Sequence, residues 1–279
     1  ELTVMDSKKL AAGLQEYVVS FRRELHEHPE LSNKEFWTTD RIAKELEGMG
    51  LTVRRFDPTG VCADIVGGKP GKTVALRADI DALPVQEDTG LPYASKIDGV
   101  MHACGHDTHA AMLMGATRAL VSVKDELAGT VRVIFQPAEE NVTGARMLVK
   151  QGVLDGVDMI FGQPIAGMMP VGTMATAAGP SAAASDHFVI KVHGKSCHGA
   201  MPNTGADATL AAANVVCALQ SIVSREIAPA EPAVVTVGQF MSGTAKNVVS
   251  GEAELGGTVR TFSRELRKTM PERLERIAK

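Results

Sequence analysis

Residues His102-Ala103-Cys104-Gly105-His106-Asp107-Thr108-His109 place a thiol, three imidazoles and a carboxylate around a single glycine. Soft and borderline donors at that density are the chemistry of metal sites. About thirty residues later the apolar run that reaches Phe135-Gln136 gives way to Pro137-Ala138-Glu139-Glu140. A buried strand that ends in two carboxylates delivers them to a site. A fold that serves both segments must bring the carboxyl end of a strand against a turn that opens a helix. Together they point to a water activated by a divalent metal and to a carboxylate that accepts its proton.

The rest of the chain supplies such a fold. Leu10, Leu14, Val18, Phe21 and Leu25 repeat with helical spacing over 8–26, and 34–49 repeats it behind Asn33 as N-cap. Strands are expected at 51–56, 61–66, 73–79, 130–136 and 159–162, with helices over 107–124 and near 143–151. This alternation predicts an α/β domain with a mixed or parallel central sheet and a site at the carboxyl ends of its strands. The small-residue tract Ala175 to Ala184 reads as a hinge, giving domains at 1–183 and 184–279. Beyond it the order is strand 186–193, helix 206–224, strands 233–241 and 252–262, then helix 263–279. That βαββα order opens a ferredoxin-like α+β module that still needs one strand. The chain stops inside a helical pattern, which is the expectation for a fragment.

Composition removes some function classes. A formal net charge of −4 gives no electrostatic case for nucleic acid. No apolar run reads as long enough to span a bilayer, and the start Glu1 to Lys9 lacks the layout of a secretory signal. A cytoplasmic protein with no membrane partner is the expectation. Cys62, Cys104, Cys197 and Cys217 are widely spaced, so no disulfide framework is expected.

Each constellation has a plain structural alternative. Cys104 and His106 can converge across Gly105, or be a buried thiol beside a satisfied histidine. Glu139 and Glu140, as neighbours, reach one site only if the chain turns after Pro137; otherwise they are a helix N-terminus favoured by negative charge. Asp79 and Asp81 end a strand, either orienting a ligating imidazole or forming a charged turn with Arg77. His198, in the glycine-bounded loop Gly194 to Pro202, is a presented side chain or a solvated one. Asn247 and Arg260 are equally open, although an arginine at a strand end suits bidentate carboxylate binding.

Taken in order, these segments resemble the metal-dependent M20 peptidase family, most closely its aminoacylase-like branch of N-acyl amino acid, hippurate and auxin-conjugate hydrolases. The resemblance runs through Arg23–Ser32, Arg77–Pro84, His102–His109, Gln136–Glu140, Gly194–Pro202 and Gly257–Phe262, nearly the whole chain. It implies a catalytic domain with a ferredoxin-like lid that dimerises, giving a homodimer or higher oligomer. It implies one or two divalent ions (Mn²⁺, Zn²⁺, Co²⁺ or Ni²⁺) held by Cys104, His106 and Glu140, with Cys104 bridging. Glu139 would be the general base, Asp81 the aspartate behind the ligands, and His198 the oxyanion stabiliser. Asn247 and Arg260 would hold the carboxylate of a small N-acyl amino acid. Similar enzymes carry a ligating histidine where this chain has Pro164, and take a last histidine from a region beyond the chain's end. An impaired homologue that binds without cleaving, and a dipeptidase-like peptidase, are the alternative functions.

Overall fold

The computed structural model describes residues 7–176 and 178–279; residues 1–6, which carry most of the N-terminal segment read above for a signal, and Ala177 of the small-residue tract lie outside the described residues. The chain divides at Pro170/Val171 into two compact units, so the irregular stretch before Ala184 goes with the second unit.

In the first unit the continuous helix expected over 8–26 is two helices, α1 (Ser7–Ala12) and α2 (Gln15–Glu27), separated at Gly13-Leu14. Glycine is the poorest helix former after proline, which places the break. Helix α3 (Phe36–Gly48) starts later than expected, and Asn33 is not its cap. Asn33 instead adopts φ 65°, and the Glu30 carboxylate accepts from the Trp37 and Thr38 N–H groups at 3.1 and 2.8 Å. A carboxylate from the preceding turn thus satisfies the orphan donors of the helix start.

Strands β1 (Val53–Arg55), β2 (Val61–Val66), β3 (Lys69–Asp79), β4 (Ala128–Gln136) and β5 (Met159–Gly162) form one five-stranded sheet in the order β1-β2-β4-β3-β5. The β1/β2 and β2/β4 pairs are antiparallel, while β4/β3 and β3/β5 are parallel, so the sheet is mixed. Helix α4 (His106–Ser122) crosses from β3 to β4 and α5 (Gly144–Lys150) from β4 to β5. In register, Asp79 faces Gln136 and Arg77 faces Gly162, which aligns the carboxyl ends of the three parallel strands on one edge. The crossover helix α4 runs back from that same edge. Its Ala110, Ala111 and Met114 pack with Phe21 and Leu25 of α2 and Ile42 and Leu46 of α3 over β2 and β4. Burying such side chains contributes roughly 1.5–3 kcal/mol each before entropy is counted. β5 is one of the two edge strands and its residues stay exposed.

The second unit has the βαββα order: β6 (Ala184–His193), β7 (Cys197–His198), α6 (Ala208–Ser221), β8 (Ala233–Ser242), β9 (Val248–Val249), β10 (Glu252–Thr261) and α7 (Arg264–Ala278). The long strands pair antiparallel as β6-β10-β8, and β7 pairs β9. Leu219, Ile222, Leu266, Met270 and Leu274 from the helices bury against Val235 and Val259 of the sheet. The outer edge of β6 has no partner strand among the described residues, and a groove of about 1200 Å³ separates it from α7. One expectation is corrected here. The helical stretch Ala208–Glu226 has 19 residues and a mean hydropathy of 1.2, long and apolar enough by composition to cross a membrane. Its Ala208, Ala212, Leu219 and Ile222 are buried in the core of this unit, while most of the helix surface stays exposed.

Candidate metal centre

The turn that precedes α4 depends on Gly105, whose φ of 83° lies where a Cβ is strained. It lets the chain double back, so that Cys104 Sγ, a His106 ring nitrogen and a Glu140 carboxylate oxygen lie within 4.8 Å of one another. Both glutamates arrive because Ala138 takes φ 52° directly after Pro137. Two buried carboxylates fix this loop: Glu35 accepts from the Ala138 N–H at 2.8 Å, and Asp81 accepts from the Glu140 N–H at 3.0 Å. Gly144 closes the turn, where a Cβ would overlap the Pro137 carbonyl. As a result Glu139 and Glu140 stand 3.9 and 3.8 Å from His106 Nε2. This is the turn that the adjacent glutamates required.

The two aspartates of β3 and its exit divide the two readings open to them. Asp79 is the ion-pair partner, 2.6 Å from Arg77, and it also accepts from the His109 ring. Asp81 serves the imidazole: His106 Nδ1 donates to the Asp81 carbonyl at 2.9 Å and lies 3.3 Å from its Oδ1. Ser32 donates to Asp81 Oδ2 at 2.7 Å, which holds that carboxylate in place. With Nδ1 engaged, Nε2 of His106 faces the glutamates. Fixing one ring nitrogen to orient the other is how proteins aim a ligating imidazole.

The electrostatics are those of a cavity that favours a cation. Burial works against the His106 imidazolium, yet the Asp81 hydrogen bond and the charges of Asp79, Asp81 and Glu140 raise it to about 9. Burial and the nearby Glu140 push the Cys104 thiol up to about 12. Burial also raises Glu139, with Asp79 and Glu140 adding to it and His106 opposing. Among the described residues, Glu140 Oε1 is buried without a hydrogen-bond partner, and so is Asp81 Oδ1. An orphaned carboxylate oxygen beside a thiol and an imidazole fits a divalent ion of borderline softness.

His198 and Asn247 come together: the Gly199 N–H donates to the Asn247 carbonyl at 2.8 Å, and His198 Nδ1 accepts from the Ala200 N–H at 3.1 Å. Both are exposed, as is Arg260. Arg260 does not join them. Asn247 adjoins β9, just before β10 begins at Glu252, whereas Arg260 sits near the far end of β10, roughly 26 Å away along the strand. One copy of this unit cannot close both side chains on one carboxylate. Pro164 is exposed in the loop after β5. The next residue, Ile165, donates its N–H to His109 Nε2 at 2.7 Å.

Sequence reasoning missed the supports. Glu35, completely buried and hydrogen-bonded by Thr59 at 2.7 Å, anchors the glutamate turn from 103 residues away. His26 and Arg22 of α2 reach Asp107 at 2.8 and 2.5 Å, tying α2 to the first turn of α4. His102 is buried with neither ring nitrogen partnered among the described residues, and burial lowers it to about 4. Ser32 and His26 lie in the segment Arg23–Ser32 that carried the resemblance, which was their signal in the sequence.

The pattern of Peptidase family M20/M25/M40 matches residues 75–266. The chain is 47% identical over 263 residues to an N-acetylcysteine deacetylase of Bacillus subtilis (strain 168), spanning 94% of this chain and 69% of that protein. It is 45% identical over 280 residues to an N-acyl-L-amino acid amidohydrolase of Geobacillus stearothermophilus, spanning all of this chain (100%) and 76% of that one. Among solved structures, a Bacillus subtilis protein described as a dinuclear metal binding peptidase from the M20 family superposes with a TM-score of 0.79 at 42% identity, over 98% of this chain and 70% of that one.

Proposed function

The chain belongs to the M20/M25/M40 peptidase family and is a metal-dependent amidohydrolase, and from that premise we propose that it hydrolyses the amide of N-acyl amino acids with Glu139 as general base. The observation that carries the assignment is the position of Glu139. It stands 3.9 Å from His106 Nε2, beside the Cys104–His106–Glu140 donors, with its side chain 44% exposed and its proton affinity raised. A base open to solvent and less acidic than an ordinary glutamate suits proton transfer near neutral pH.

Cys104, His106 and Glu140 would hold the ion, which when bound supplies Lewis acidity to the amide carbonyl and to the attacking water. Glu139 takes a proton from that water as it attacks and returns it to the departing amine. Asp81, through His106 Nδ1, keeps the imidazole aimed at the site. In the second unit His198 Nδ1 is engaged with a backbone N–H, leaving Nε2 as the nitrogen that can face a developing oxyanion. Asn247 and Arg260 are alternative candidates for the substrate carboxylate, since one copy of the unit can bring only one of them to it. The unit that carries them is proposed as a lid and dimerisation domain, with a cytoplasmic setting.

The test is turnover of hippurate-like and N-acetyl amino acids with Mn²⁺, Co²⁺, Zn²⁺ or Ni²⁺ supplied. Undiminished activity in Glu139→Ala would remove the mechanism. Pro164, which has no side-chain donor atom, supports a second reading in which acyl amino acids bind without being cleaved. Binding of those ligands with no product over long incubation selects that reading.

A further inference from the structure

Building on the metal-dependent reading above, we infer that the residues of this chain hold one divalent ion rather than a pair. The inference comes from counting donors that still have a free lone pair. Two overlapping groups lie close enough to hold an ion: Cys104, His106 and Glu140, and Asp79, His106 and His109. His106 belongs to both and offers only Nε2, because Nδ1 is committed to the Asp81 carbonyl. One imidazole nitrogen has one lone pair, so it serves one ion.

The second group then fails on its remaining members. A backbone N–H can only donate, so the bond from Ile165 N to His109 Nε2 at 2.7 Å fixes Nε2 as the acceptor. Its Nδ1 carries the proton and donates to Asp79. Both nitrogens of His109 are therefore spoken for, and ligation would strand a backbone donor at a buried ring. Asp79 is likewise committed, with Oδ1 on His109 and Oδ2 on Arg77 at 2.6 Å. The first group has no such commitment outside itself among the described residues: Glu140 Oε1 is buried without a hydrogen-bond partner, and Cys104 Sγ and His106 Nε2 lie beside it. The Ile165 side chain lies 3.5 Å from where a Gly105 Cβ would be, so the wall beside the donors is hydrocarbon. Three protein donors with one position left open is the pattern of a single catalytic ion.

The experiment counts ions without requiring turnover. The protein is stripped with chelator, titrated with Co²⁺, and followed by metal analysis after dialysis and by the thiolate-to-cobalt charge-transfer absorption. One retained ion per chain, with the absorption complete at one equivalent, is the expected result. Cys104→Ala should abolish the absorption and weaken retention at least tenfold, while His109→Gln should keep one ion and the full absorption. Two retained ions, a retained ion without the thiolate absorption, no retained ion, or loss of the ion in a His109→Gln protein whose circular dichroism is native would each overturn the inference. One ion with no hydrolysis of any acyl amino acid removes the hydrolase reading and leaves the stoichiometry standing. Two ions with turnover do the reverse.

Discussion

The carboxyl edge of the five-stranded sheet and the loops of the second unit present their functional side chains in opposite ways. At the sheet edge most candidates have a dedicated support, with Asp81 behind His106, Ser32 behind Asp81 and Glu35 behind the glutamate turn, and only Cys104 is exposed without one. In the second unit His198, Asn247 and Arg260 are exposed, and the arginine is a strand's length from the other two. The difference is one of preorganisation. The groups proposed to move protons and hold an ion are fixed by tertiary contacts within one unit, whereas those proposed to grip the substrate are not gathered by their own unit. Truncations at the edge should therefore be costly, and truncations in the second unit mild.

The largest expected effect is at the base. Glu139→Gln keeps the shape and removes the proton acceptor, so kcat should fall by about 10²–10⁴-fold with one equivalent of metal retained. Loss of metal in this variant would instead make Glu139 a ligand and blur its separation from Glu140. Next comes Asp81→Asn, which weakens the acceptor that orients His106; metal affinity measured by competition with a chelating dye should drop about 10–100-fold. An unchanged affinity would mean that His106 is aimed by the backbone carbonyl alone.

A smaller effect is expected on stability. The Asp107 hydrogen bond, opposed by burial and reinforced by the Asp107 charge and Glu87, raises His26 above its ordinary value, with Arg22 pulling the other way. A group raised in the folded state contributes fully below its unfolded value of about 6.5, and the contribution is lost as pH rises through the folded value. His26→Asn should thus destabilise by about 1.5 kcal/mol in urea unfolding at pH 6 and by less at pH 9. An equal loss at both pH values would show that the ring matters for packing and not for its charge.

Most of the sheet was legible because period-two and buried apolar runs report directly on strands. The runs 61–66 and 159–162 were read to the residue. The convergence of Cys104, His106 and Glu140 was legible for a different reason: Cys104, Gly105 and His106 are local, and the need for a turn after Pro137 follows from the adjacency of two glutamates. What could not be read were partnerships set only when distant segments pack. His26 meets Asp107 across 81 residues, and Glu35 meets Ala138 across 103. Local propensity also misplaced Asn33, which went to a left-handed turn once Glu30 had taken the N–H groups of α3. His109 belongs to the same dense segment, but its sequence position does not say what it touches. Its hydrogen bonds to Asp79 and to the Ile165 N–H are set only when distant segments pack.

The mildest expected effect tests the second unit itself. Asn247→Ala and Arg260→Ala should each raise KM by no more than about tenfold, with kcat and metal content little changed, since each is at most one exposed contact to a substrate carboxylate. Their separation along β10 sets the sharper expectation. Residues with no shared partner combine additively within about 0.5 kcal/mol, so the double variant should show the product of the two KM changes. Strong coupling between Asn247 and Arg260 would mean that one carboxylate touches both. Since one copy of the unit holds them apart, that result would require a second copy to bring them together, and it would appear only at protein concentrations where the chain self-associates.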